Sequence, residues 1–171
     1  MTHRHLLRLS AFLAILGGGA RVLFAYIPWG PDSPRLEALY AFEDTAMLFG
    51  LMGIYLASAD KTGWIGLIGF ALAAAGLASI VGPDAVMFDI EFYQIGGTIA
   101  MMGLALLGIA RLRNGVGPMA IALIWPIAFA VGILGTLTMN PLLGFIIPGI
   151  LFGGGFVATG LHLIYAKQGT L

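Results

Sequence analysis

Two carboxylates, Glu43 and Asp44, stand side by side inside a run that is otherwise apolar, YAFEDTAMLFGLMGIYLASA over residues 40–59. A charged group in hydrocarbon costs at least ~2.5–3.5 kcal/mol, so such residues need a partner or a task. Helical spacing gives the direction each one faces. Stepping three or four residues from Glu43 gives Ala46, Gly50, Gly53 and Ala57, a small-residue stripe of the kind membrane helices use for close contact. Asp44 lies above Met47, Leu51 and Tyr55, a bulkier face, so Glu43 is the better candidate for burial.

Arg21 supplies the complementary charge. Stepping back from it gives Gly18 or Gly17, Ala14 and Ser10, again a small stripe, and its guanidinium stays charged. Measured from Pro28, Arg21 is ~10 Å deep, and Glu43 is ~9 Å past Glu37. The spacing therefore predicts an Arg21–Glu43 pair between hairpin neighbours. A third carboxylate follows in FDIEFYQIGGTIAMMG, where Glu91, Gln94 and Thr98 are expected on one helical face with Asp89 just above. Tyr40 and Tyr93 fall at similar depth, and Asn140 can join from the loop before the last helix. The candidate binding set is Arg21, Tyr40, Glu43, Asp44, Glu91, Tyr93, Gln94 and Asn140. For acid/base chemistry, Glu43 and Asp44 would be the catalytic groups.

Other chemistries are less well provided for. Cysteine is absent, which excludes disulfides, thiolate catalysis and cysteine-ligated clusters. No His/Glu/Asp spacing resembles a transition-metal site, and no cofactor is expected. His3 and His5 lie in the N-terminal tail, so a bis-histidine haem across two helices is not available. His162, on the Gly155–Thr159–Ala166 face, reads as a hydrogen-bonding residue between helices or as a proton relay. Lys61 and Lys167 sit at helix ends, away from where a mid-membrane Schiff base would form. The balance of charge is neutral and no basic run exceeds RLR, which argues against nucleic acid.

The elements that must position these groups follow from composition. Of 171 residues, 60% are hydrophobic and 9% charged, with 26 glycines; soluble domains carry about 25% charged residues. This is an all-α integral membrane protein, one domain over 1–171. Six apolar runs are long enough to cross ~30 Å of hydrocarbon, at approximately 6–28, 37–59, 63–82, 87–111, 117–137 and 142–166. The first imitates a secretory signal but reads as a membrane helix. PWGPDSPR, ADKTG, GPD, RLRNGVGP and TMNP punctuate the runs as turns, so a six-helix bundle with short loops is expected. The prolines of IWPIAF and IIPGI lie inside spans and can kink them.

Arg4, Arg8, Lys61, Arg111, Arg113 and Lys167 all fall on the side of the N-terminus, which places both termini in the cytoplasm of a bacterial plasma (inner) membrane. Of the acids, Asp60 alone is on that side; Asp32, Glu37, Glu43, Asp44, Asp84, Asp89 and Glu91 are on the other. MGIYLASADK (52–61) and MGLALLGIAR (102–111) align at an offset of fifty, and TGLHLIYAK (159–167) is a looser copy. The repeat would be three-fold, of helical hairpins, although shared orientation alone favours the same pattern.

Two readings of the polar cluster compete. In one, Arg21–Glu43 fixes helix register and the remaining acids are solvated at the headgroups. In the other, an outward-facing pocket binds or transports a small amphiphilic or cationic ligand. The functional alternatives are a membrane-embedded isomerase or cyclase acting on a lipid-like or isoprenoid substrate, and an accessory subunit of a larger membrane assembly. The partners are accordingly the lipid bilayer, such a ligand, and other membrane subunits.

Overall fold

The computed structural model describes residues 3–27, 33–81, 86–87 and 90–165. Helix α1 is His3–Phe24, α2 Pro34–Leu56, α3 Ala59–Ile80, α4 Phe92–Arg113 and α5 Met119–Leu137; α6 runs Leu142–Tyr165 and opens with a wide π turn, Leu142–Ile146. All six are long and apolar enough to cross a membrane, and the protein is a multi-pass membrane protein. Large apolar side chains such as Phe12, Phe42, Phe49, Ile68 and Ile127 face outward, the arrangement lipid accepts and water penalises.

Several boundaries differ from the sequence expectation. The fourth helix begins at Phe92, not at 87. Before it, β1 (Val86–Met87) and β2 (Ile90–Glu91) pair antiparallel, with Val86 opposite Glu91. The stretch FDIEF (88–92) alternates apolar and acidic residues, which is the two-residue period of a strand. The first helix ends at Phe24 rather than 28, its last turn tightening through Tyr26 N–H to Leu23 O and Ile27 N–H to Phe24 O. ADKTG is not a loop: Ala59–Thr62 forms one helical turn, and the chain breaks at Gly63, φ 59° and ψ −160°. Glycine tolerates that backbone at no steric cost.

Small residues set the helix spacing. Across α1 and α2, a Cβ on Gly50 would lie 2.7 Å from the Ala14 Cα, Gly53 meets Ser10, and Gly17 meets Met47 and the Glu43 carbonyl. The stripes of the first two helices therefore face each other. Between α3 and α4, Gly69 abuts Gly103 and Leu107 while Gly76 abuts Ala100 and Gly96. Helix α6 returns along α1, Gly153 against Gly18 and Gly160 against Ala11. In each case numbers rise on one helix as they fall on the other, so the pairs are antiparallel and α6 closes on α1. The Trp125 indole, fully buried, presses on Gly155 and donates to the Phe152 carbonyl at 3.2 Å.

Pro148 lacks an amide hydrogen and would crowd the carbonyl four residues back. The π turn just before it widens that stretch, with Ile147 N–H reaching Leu142 O, and the helix continues. We name the end where α1 starts and α6 finishes the basal end, and the opposite one the distal end.

Candidate functional site

Arg21 sits in the last turn of α1, where α1, α2 and α6 meet. Its stem lies against α6: a Cβ on Gly153 would be 2.9 Å from the Arg21 Cβ. The guanidinium carbon is 5.9 Å from the centre of the Phe152 ring, within cation–π range. From there Nη1 reaches 3.6 Å from Glu43 Oε1 on α2. The close α1–α2 contact at Gly17 and Gly50 is what brings the two groups within that distance.

Glu43 is fully buried, and neither of its oxygens has a hydrogen-bond partner among the described residues; nor does Arg21 Nε. At 3.6 Å the pair is coulombic, since a charge-assisted hydrogen bond of this type is ~2.7–2.9 Å long. Asp44 is buried too, 4% exposed against 0% for Glu43. Met47 and Leu51 on its face are themselves completely buried, so α2 is enclosed on both sides. Arg21 is the accessible member, a quarter exposed.

The tyrosines complete the cluster. Tyr40 is one turn before the carboxylates on α2, half-buried, and its ring meets Phe24 edge-on at 5.0 Å. Tyr93, exposed in the first turn of α4, lies near both Arg21 and Tyr40. Arg21, Tyr40, Glu43, Asp44 and Tyr93 thus form one electrostatic group at the distal end. Phe24 and Phe152, which sequence reasoning did not single out, wall it on two sides. The only sequence signal for Phe152 was its place beside the GGG run on α6.

The remaining candidates fall elsewhere. Gln94 is exposed on the first turns of α4, and its carbonyl accepts the Thr98 hydroxyl at 2.8 Å. Glu91 belongs to the hairpin and not to the helical face of Gln94; its side chain, like Asp32, Asp84 and Asp89, lies outside the described residues. Asn140 is exposed and locally occupied, its carboxamide oxygen accepting from Leu142 N–H at 3.0 Å and Leu143 N–H at 3.3 Å. That caps α6 and removes Asn140 from the cluster. A groove of about 320 Å³ opens between α4, α5 and α6, lined by Thr98, Met101, Phe129, Thr136 and Pro148 among others. It is largely apolar and includes none of the clustered charges.

Neither a family model, a curated protein nor a solved structure matches the chain. The chemistry of the cluster therefore has to be read from its own geometry.

Proposed function

We propose that this protein binds or transports a small amphiphile with a cationic head, using the distal cluster of Arg21, Tyr40, Glu43, Asp44 and Tyr93. The observation that carries the reading is Glu43. Its carboxyl group is fully buried, both oxygens lack a hydrogen-bond donor among the described residues, and its cation stands 3.6 Å off. A carboxylate with unused acceptor capacity in a low-dielectric site attracts a cation that can replace its lost hydration.

Arg21 is the movable member. Its partly exposed head can swing toward the distal surface while its stem stays on α6, and an incoming ammonium would take its place. Tyr40 and Tyr93 offer aromatic faces suited to such a group. The excess of Arg and Lys at the basal end supports a cytoplasmic basal side in a bacterial plasma membrane. The distal cluster would then meet ligand from outside the cell or from the outer leaflet.

A second reading is favoured by one feature, the adjacency of two buried carboxyl groups. That arrangement suits acid/base catalysis on a lipid-like or isoprenoid substrate, with Glu43 or Asp44 as proton donor. The discriminating experiment is thermal unfolding of the purified protein with dodecyltrimethylammonium and, separately, dodecyl sulfate. The binding reading expects stabilisation by the cation alone, and loss of it in Glu43→Gln. Equal responses to both amphiphiles, or an undiminished response in the variant, would sink it. Uptake of a lipophilic cation into proteoliposomes then separates transport from binding, and co-purifying chains without any ligand response would indicate an accessory subunit.

A further inference from the structure

A buried arginine lies at the basal end, outside the cluster above. Arg111, in the last turn of α4, is 3% exposed, and its Nε and Nη1 have no hydrogen-bond partner among the described residues. No carboxylate among those residues forms an ion pair with it, and its titratable neighbour is the His162 imidazole of α6. His162 Nε2 is likewise buried without a partner.

Both groups point at one place. A Cβ on Gly117 would stand 3.2 Å from Arg111 Nη2 and 3.2 Å from His162 Nε2. Gly117 has φ +73°, a conformation that glycine adopts freely. The loop arrives there because α4 ends at Gly115, φ +64°, with Val116 N–H bonded back to the Arg111 carbonyl at 2.8 Å, a Schellman-type stop. Immediately beyond, α5 starts at Met119 after Pro118, with no side chain capping its first amides. A guanidinium and an imidazole thus meet at Gly117, two residues before a helix start whose first amides carry no side-chain cap.

Free amides at a helix start bind anions through oriented N–H groups and the helix dipole. Arginine matches a phosphate with two parallel hydrogen bonds. Arg4, Arg8, Lys61 and Arg113 are exposed at the same end, a field that concentrates anions. We infer that Arg111, His162, Gly117 and the start of α5 form a binding site for a phosphate oxyanion, carried by a lipid headgroup or free in solution.

The test uses the full-length protein in dodecyl maltoside, a detergent without phosphate. One arm titrates inorganic phosphate against sodium chloride of matched ionic strength; the other adds phosphatidylglycerol to the micelles. Thermal unfolding is followed in both, and retained lipid by native mass spectrometry in the second. The expected result is a rise in midpoint with phosphate, with the anionic lipid, or with both, and none with chloride. A response confined to the lipid arm names the headgroup; a response to phosphate names the free anion. Arg111→Gln should weaken it about tenfold, the loss of one charge-assisted contact. His162→Gln, at a half-buried position, carries the same expectation should Arg111→Gln fail to fold. The proposal is overturned if neither probe stabilises the wild type, if chloride does so equally, or if the folded variants respond as the wild type does.

Discussion

The bundle holds two inward-lying arginines near opposite ends, Arg21 a quarter exposed and Arg111 buried, and their surroundings differ in charge. Arg21 has a carboxylate at 3.6 Å and an aromatic ring beneath it, while Arg111 meets, among the described residues, the His162 imidazole and the Gly117 loop and no carboxylate. Both approach their neighbours through glycine contacts, Gly18 and Gly153 at one end and Gly117 at the other. Close packing therefore does not by itself decide what an intramembrane charge is for. The complement of charge around it does: the distal group holds a cation already and has carboxylate capacity left over, whereas the basal group has unmet donors. On the functions proposed above, one end would take a cation and the other an anion.

The contrast can be broken by mutation, and the largest effect should come from Arg21→Gln. It strands a buried carboxylate, a change that typically costs about 3 kcal/mol or more, and the unfolding midpoint should fall sharply in detergent. Combining it with Glu43→Gln should restore much of the loss, and an additive double mutant would refute the pairing. Next in size is Gly50→Leu, which forces α1 and α2 apart at Ala14. Overpacking of this kind costs about 2 kcal/mol, and it should abolish any ligand response that depends on Arg21 and Glu43.

Smaller effects sharpen the basal side. Arg111→Met removes an unpaired buried charge and should leave the protein equally stable or stabilise it by about 1 kcal/mol in phosphate-free zwitterionic detergent. The opposite sign from Arg21→Gln is the point of the comparison, and a loss as large as that of Arg21→Gln would erase it. Gly117→Ala should cost about 1 kcal/mol, because a side chain is strained at that φ. The same substitution should weaken any phosphate response of the wild type, read by titration as above.

The six spans were legible because hydrocarbon thickness fixes both their length and their composition. The Arg21–Glu43 encounter was legible because each residue heads a stripe of small side chains, and such stripes seek one another. The same rule ranks Glu43 above Asp44 for burial but does not show that both are enclosed, because Met47 and Leu51 beneath Asp44 fill the core between helices. The helical rule also overreached at Glu91, which belongs to the short strand Ile90–Glu91 that precedes α4. Asn140 lay near the cluster in sequence depth, but a helix start two residues on takes up its oxygen. Arg111 was treated as a marker of orientation. Stepping back from it gives Gly108, Leu107 and Leu104, all buried, so its inward direction was present in the sequence and masked by its position at a helix end.

The wide turn that opens α6 holds one residue more than an α-helix of the same rise. The entry to α6 at Pro141 is consequently rotated by about 100° relative to the residues after the turn, compared with an unbroken α-helix. Gly144, which faces α5 from within the turn, and Phe152, which faces Arg21 beyond it, owe their relative bearing to that extra residue. Excising one residue between Leu142 and Ile146 would change that bearing, and with it the placing of the lipid-side groove relative to the charged cluster.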